Sequence, residues 1–200
     1  CLRSEGMRLL MRKEIGKAEE KILAAIQRSR DSLDPAEEAE TYKLLIKLYK
    51  DRQGKFEKCC ECYQQRLEAL SKDEDLEGVN ETLLELGQFR LAKHLDDSSN
   101  EADLEYSELE VTDMGLQGAL TYYEENRDRD DTKLPDAYIA VGTIKMLLGD
   151  QTSSVDALVK ARDLYDAMDD EDGSTRASAL LTDVKRIMDK VDSTSVTPVS

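Results

Sequence analysis

Apolar residues recur three and four residues apart along almost the whole chain, which is the spacing that places them on one face of an α-helix. Tyr42, Leu45, Ile46 and Tyr49 follow this spacing, and residues 138–148 repeat it. No segment alternates apolar and polar residues over the length that a β-strand needs. The pattern predicts an all-α chain of about eight helices, joined by short connections that make neighbouring helices antiparallel.

Six points along the chain carry residues that begin or end helices, because Pro and Gly interrupt helical backbone and Asp caps a following helix. These points are Asp34-Pro35, Gln53-Gly54, residues 73–75, Leu134-Pro135, Gly149-Asp150 and Asp172-Gly173. The last of them predicts a final helix over about residues 174–191 and a disordered tail over 193–200.

Composition and cysteine placement indicate the compartment. Trp is absent, Pro occurs 3 times, and no apolar run approaches the length of a membrane span, so we expect a soluble protein with no membrane partner. Of the four cysteines, Cys59, Cys60 and Cys62 crowd into one stretch, which is unlike a disulfide framework. The sequence therefore predicts a reducing compartment, the cytoplasm or the nucleus.

The formal net charge of -16 is unevenly distributed. Residues 1–30 hold eight Lys and Arg against four Glu, whereas residues 96–113 hold eight acids and no base. An acidic surface repels phosphate backbones, so nucleic acid is excluded as a partner of residues 31–200, and a basic protein would be attracted. A solvated loop is the alternative explanation of such an acidic run.

The chain also repeats itself. Tyr42, Leu45, Ile46 and Tyr49, followed by Gly54, Cys59 and Tyr63, resemble the tetratricopeptide repeat pattern, and residues 134–161 resemble it again. A third unit begins at Leu83 and is interrupted by an acidic insertion. The resemblance implies a right-handed α-solenoid of stacked helix pairs, a single domain over residues 1–192. Its expected parts are a partial unit 1–34, a repeat 35–73, an interrupted repeat 76–130 with the insertion at 95–113, a repeat 134–169 and a capping helix 174–191.

The same alignment assigns turn and packing positions within the units. Gly16, Gly54, Gly115 and Gly149 are expected at turns between paired helices. The small residue that admits a bulky neighbour is expected to be Cys59, Ala119 or Ser154 in the respective units.

Residues that carry enzymatic or metal chemistry are sparse, and we predict neither an enzyme nor a cofactor. His94 is the one histidine, and the usual hydrolase and nucleotide-binding motifs do not occur. Cys59 and Cys62 lack a second ligand pair for zinc, and the acidic run 168–173 lacks both end ligands of a calcium loop. No small-molecule substrate is expected.

The resemblance implies protein–protein interaction, in which the first helix of each pair lines a groove for a peptide or helix of a partner protein. The residues then expected in the groove are Tyr42, Lys43, Lys47, Gln88, Ile139 and Thr143. Ordinary helix surface is the alternative reading of these positions. The asparagines and later basic residues of a chaperone-tail clamp are missing, which disfavours a co-chaperone.

The acidic insertion suggests a second function. Its layout is similar to that of tetratricopeptide histone chaperones, in which an acidic segment interrupts a repeat, and it mixes apolar residues with acids. Basic proteins would then bind through Asp96, Asp97, Glu101, Asp103, Glu105, Tyr106, Glu108 and Glu110. The sequence leaves the scaffold and the chaperone hypotheses both open.

Overall fold

A computed structural model describes residues 2–96, 105–126 and 132–194, with the backbone alone for residues 191–194. Nine helices and no strand occur in these residues, which confirms the all-α prediction. The helices are α1 (Leu2–Met11), α2 (Ile15–Asp31), α3 (Pro35–Tyr49), α4 (Phe56–Lys72), α5 (Leu76–His94), α6 (Tyr106–Glu125), α7 (Lys133–Leu147), α8 (Gln151–Ala167) and α9 (Glu171–Thr194). None of these described helices combines the length and the apolar character that a bilayer crossing requires.

The contacts divide the chain into two compact units. Unit 1 contains α1 to α4 and α5 as far as Phe89. Helices α1 to α4 each pack against the next, and α1 also contacts α3. Phe89 stacks on Phe56 of α4 with the ring centroids 5.4 Å apart, and Tyr63 lies against the same ring. Unit 1 is therefore built from consecutive helix pairs whose first helices lie side by side.

Unit 2 contains α5 from Arg90 onward and helices α6 to α9. Helices α6 to α9 each pack against the next, and α7 also contacts α9. Leu158 of α8 and Leu181 and Val184 of α9 form a buried cluster. The packing of unit 2 thus repeats the scheme of unit 1, with α7 and α9 as neighbouring first helices.

Two glycines bring paired helices close together. A Cβ atom on Gly6 of α1 would lie 2.7 Å from Ile22 Cγ1 of α2, and one on Gly142 of α7 would lie 2.6 Å from Leu158 Cγ of α8. Both distances are shorter than real carbon contacts allow. The two pairs therefore use the same device, a glycine facing a bulky side chain on the second helix.

Four helix starts share one backbone arrangement. Asp34, Asp75, Asp150 and Asp170 each accept a hydrogen bond from the backbone N–H three residues on, which caps the helix that follows. Each is preceded by a residue of positive φ, which turns the chain sharply. These residues are Leu33 (φ 54), Glu74 (φ 59), Gly149 (φ 83) and Asp169 (φ 55).

Some expected turns are helical instead. Gly54 and Gly149 have positive φ and lie at turns as predicted, but Gly16 lies in the first turn of α2 and Gly115 lies inside α6. Lys13, with φ 60, makes the turn between α1 and α2. The sequence expectation was wrong at Gly16 and Gly115 because the repeat alignment matched these two helical glycines to turn positions.

The final helix also begins earlier than expected. Gly173 lies within α9, which runs from Glu171 to Thr194 rather than over 174–191. A Cβ atom at residue 173 would lie 2.3 Å from Tyr165 Cδ1, so this glycine serves close packing rather than a chain break. The predicted disordered tail covered 193–200; residues 193 and 194 belong to α9, and residues 195–200 lie outside the described residues.

Part of the predicted acidic insertion is helix. Helix α6 begins at Tyr106, so residues 106–113 do not form the loop that an insertion at 95–113 implied. Leu109 and Thr112 are buried, and Asp113 Oδ2 accepts a hydrogen bond from Lys145 Nζ of α7 at 2.7 Å. The apolar spacing of α6 therefore extends into the acidic stretch and anchors its end to unit 2.

Candidate partner-binding groove

A groove of about 420 Å³ lies on the first helices of unit 1. Met7 of α1 and Leu44 of α3 supply apolar side chains, and Tyr63 of α4 closes the floor. Three lysines and three acids complete the lining together with Ile46. They are Glu40, Lys43 and Lys47 of α3, Lys50 and Asp51 directly after α3, and Glu85 of α5. The groove thus offers an apolar floor between charged walls of both signs.

Ion pairs connect the helices that carry this groove. Lys43 Nζ lies 3.8 Å from Glu81 Oε2 and links α3 to α5. Arg66 of α4, 2% exposed, approaches Glu81 at 3.5 Å and Glu85 at 3.3 Å. Among the described residues, Arg66 Nε has no hydrogen-bond partner. A buried guanidinium needs nearby carboxylates, so this pairing holds α5 against α4.

Of the six residues expected in the groove, the structure brings only Lys43 and Lys47 together in it. They lie one helical turn apart on α3, and both are exposed. Glu40 and Leu44 share this face of α3, as the helical spacing of three and four residues requires.

Tyr42 is buried on another side of α3 and does not line the groove. It is 7% exposed, and its hydroxyl accepts a hydrogen bond from Arg30 Nη2 at 2.7 Å. Arg30 Nε also donates to Glu38 Oε1 at 2.6 Å, and Arg30 Nη2 donates to Gln65 Oε1 at 2.7 Å. Burial raises the pKa of Tyr42, which keeps the phenol neutral. The role of Tyr42 in the structure is to hold α2, α3 and α4 together.

The remaining three expected groove residues lie elsewhere. Gln88 is half-buried on α5 and is not among the lining side chains of the groove. Ile139 packs on the cluster around Leu158 in unit 2. Thr143 is 6% exposed and donates its hydroxyl to the Ile139 carbonyl at 2.8 Å.

Sequence reasoning missed Met7, Leu44, Tyr63 and Glu85. The face of α3 that carries Lys43 and Lys47 includes Leu44, so its helical spacing held enough information to find that residue. Met7 was missed because residues 1–34 were expected to form only a partial unit, without a first helix that lines the groove.

The acidic residues expected to bind a partner divide into two groups. Asp97, Glu101 and Asp103 lie outside the described residues. Asp96, Glu105, Tyr106, Glu108 and Glu110 are exposed, and Tyr106 is 61% exposed. Glu108 also has an internal role, because its Oε2 accepts a hydrogen bond from the Glu105 backbone N–H at 3.0 Å at the start of α6.

The cysteines and other ionisable residues do not assemble a metal site in the part of the chain that is described. No group of three His, Cys, Asp or Glu side chains in those residues could hold an ion. Cys59, Cys60 and Cys62 are buried and form no disulfide within the described residues. Burial raises the pKa of Cys62 to about 12, so its reactive thiolate form is strongly disfavoured near neutral pH.

No protein-family model matches the chain, and no match was found among the curated proteins.

Proposed function

We propose that the protein is an interaction scaffold or adaptor of the tetratricopeptide type, which binds a peptide or helix of a partner protein within a larger assembly. In this proposal the helix pairs of each unit stack as right-handed repeats, and the cytoplasm or the nucleus is the compartment. The groove of unit 1 is the binding site.

The groove on α1, α3 and α5 is the observation that carries this proposal. First helices of consecutive pairs line it, and it combines an apolar floor at Leu44 and Tyr63 with exposed Lys43 and Lys47. Recognition grooves of this kind take apolar anchors on the floor and fix orientation with charges at the rim. A partner segment with an apolar side chain flanked by acids would match the Lys43 and Lys47 side.

The test is capture of partner proteins by the immobilised chain, with Lys47→Glu compared with Lys58→Glu. Both lysines are exposed, but Lys58 lies on α4 outside the groove, so the two variants change net charge equally. We expect Lys47→Glu to reduce capture of a defined set of proteins about tenfold, because a charge-assisted contact becomes repulsive. Equal capture by both variants and the unchanged chain would contradict the groove as the site.

A second candidate is binding of basic proteins, as in histone chaperones, through the acidic stretch. The exposure of Glu110 beside Tyr106 and Val111 favours it, because acids next to exposed apolar side chains suit a basic partner with apolar contacts. In the same capture experiment, Asp96→Asn with Glu110→Gln would then release basic proteins, and moderate salt would do the same. Deleting residues 96–113 is a poorer test, because it also removes buried Leu109 and Thr112.

A further inference from the structure

One side of helix α6 is exposed along the whole length of the helix. The opposite side is buried and includes Leu109, Leu116 and Tyr123. The exposed side carries six residues at alternating spacings of four and three, which places them in one line along a helix. They are Ser107, Val111, Met114, Gly118, Thr121 and Glu125, and we call this line the α6 stripe. The stripe is therefore a continuous surface on which another molecule can lie.

The α6 stripe is apolar near its centre and acidic around it. Val111 is 61% exposed and Met114 is 75% exposed, and neighbouring apolar side chains exposed to this extent favour contact with a second molecule. Gly118 adds open space on the same side, so a docked surface can come close to the backbone. Helix α6 contains five Asp and Glu residues and no Lys or Arg. The chemistry of the stripe therefore suits an apolar surface that carries positive charge.

The groove of unit 1 has apolar side chains, and several of its charges are already engaged within the unit. Glu40 lies 3.9 Å from Arg3, and Glu85 lies 3.3 Å from the buried Arg66. Lys43 is engaged by α5 through the ion pair described above. These charges are partly neutralised, so they contribute less than free charges to the attraction of a partner.

The remaining charges of the groove are mainly positive. Lys47, Lys50 and Asp51 form no ion pair within the described residues. Two ammonium groups beside one carboxylate leave an excess of one positive charge next to the apolar side chains of Met7 and Leu44. The groove thus matches a surface that is apolar at its centre and acidic around it, which is the description of the α6 stripe.

We propose that the α6 stripe of one copy of the protein docks into the unit 1 groove of a second copy. Val111 and Met114 would contact the apolar lining at Leu44, and the exposed Glu110 beside them would reach the ammonium group of Lys47. Each copy carries both surfaces, so the contact is heterologous and joins two or more copies. The proposal rests on the groove being a binding site, and it names a second copy as the occupant.

The net charge of -16 on each copy opposes this association, so a specific local contact must outweigh a general repulsion. The two effects respond differently to substitution. Replacing an acid with a lysine anywhere reduces the general repulsion and should strengthen association, whereas the same change at the contact should weaken it. Glu110→Lys therefore separates the specific contact from the overall charge.

Sedimentation velocity of the purified chain over a range of concentrations at low salt tests the contact. The average mass should exceed that of one copy and rise with concentration. Lys47→Glu and Glu110→Lys should each weaken self-association about tenfold, because each makes a charge-assisted contact repulsive. Lys58→Glu and Asp156→Lys make the same charge changes at exposed positions outside both surfaces. Neither control should weaken self-association.

A mixture of the two variants tests whether these two surfaces meet each other. Lys47→Glu keeps an intact α6 stripe, and Glu110→Lys keeps an intact groove. With different fluorescent labels, the two variants should bind each other about tenfold more tightly than either binds itself. Mutual binding that is no tighter than the self-association of the variants would overturn the proposal.

A charge-neutral variant tests the apolar centre of the stripe. Met114→Gln keeps the length of an exposed side chain and removes its apolar character, so it should weaken self-association about tenfold while the helical circular dichroism spectrum stays unchanged. Met188→Gln, at an exposed methionine of α9, is the control and should have no effect. Equal effects of the two variants would overturn the proposal.

A mass of one copy at every concentration would also overturn it. That result would leave the proposed function separately testable, because Lys47→Glu would still reduce capture of other proteins if the groove binds them. Unreduced capture by Lys47→Glu together with a mass of one copy would contradict both proposals.

Discussion

Single glycines set the distance between paired helices. At Gly142 the missing side chain admits Leu158, which is 0% exposed, so the contact is fully enclosed. Gly118, on the exposed face of α6, has no neighbouring atom within 4 Å of the position that a Cβ would occupy. Substitutions at these two positions therefore distinguish the role of glycine in close packing from its conformational cost in a helix.

We expect Gly142→Ala to lower the free energy of unfolding by about 1–3 kcal/mol, because the added methyl overpacks an enclosed contact. Gly118→Ala should raise it by about 0.5–1 kcal/mol, because alanine restricts the unfolded chain in an open helical position. Urea denaturation followed by circular dichroism measures both. A stabilising Gly142→Ala would show that α7 and α8 can separate without cost.

The small packing residues show how far the sequence predicts individual positions. Cys59, Ala119 and Ser154 are each 0% exposed. The buried residues of α6 and α2 have the same spacing, however, and this spacing makes Thr112, and not Ala119, the equivalent of Ala18 in α2. Ala119 is instead the counterpart of Ala25. Small residues recur two helical turns apart on a buried face, so spacing alone does not distinguish the two registers.

At the scale of the helix, α6 depends on its first turn. The Glu105 backbone is extended, with φ -62 and ψ 156, and its N–H donates to Glu108 Oε2. The Glu108 carboxylate also lies at the positive end of the helix dipole. Glu110, exposed in the same stretch, is not part of the capping box that Glu105 and Glu108 form, which makes it a matched control for charge.

Glu108→Ala should destabilise the start of α6 by about 1 kcal/mol, since it removes the acceptor of an N-terminal N–H. Native-state hydrogen exchange of the amides at 109–112 should then accelerate about fivefold. Glu110→Ala should leave these rates nearly unchanged. If both substitutions accelerate exchange equally, general charge rather than capping controls the helix start.

Helix boundaries were predictable where an aspartate cap follows a turn. Asp34 and Asp150 lie at predicted breaks and cap α3 and α8. The helix start predicted at Gly173 was wrong, because the sequence does not distinguish a glycine that packs closely against the Tyr165 ring from a glycine at a turn. The positive φ of Leu33 was also unpredictable, because a leucine carries no local preference for that conformation.

At the scale of the whole molecule, the fold class followed from helical periodicity, but the site did not. Lys43 and Lys47 were identified because they share a face of one helix. Glu85 and Met7 come from other helices, and their positions depend on packing that no local pattern specifies.

Buried cysteine and tyrosine side chains with raised pKa values make the stability of both units sensitive to alkaline pH. In unit 1, burial raises the pKa of Cys62 to about 12 and also raises that of Tyr63, while burial and the Glu19 carboxylate raise that of Tyr49. In unit 2, burial and Asp136 raise the pKa of Tyr165. The unfolded chain releases these protons at lower pH than the folded protein does.

These four groups should therefore leave the free energy of unfolding unchanged below the unfolded pKa of cysteine, about 8.5, and lower it as pH rises toward 12. Urea denaturation at several pH values under reducing conditions measures this slope. Cys62→Ala should be less stable at neutral pH because of the cavity, but its stability should fall less steeply between pH about 9 and about 10, before tyrosines titrate. A slope unchanged by the substitution would show that the thiol ionises freely in the folded protein.

The restriction of contacts to the next helix and the next but one has a consequence for how the chain acquires its structure. Within each unit, every described helix finds its partners among residues nearby in sequence. Such low contact order shortens the search for native contacts, and chains of this kind fold rapidly. During synthesis, α1 and α2 can pair, and α3 can add to them, while the acidic C-terminal half is still being translated.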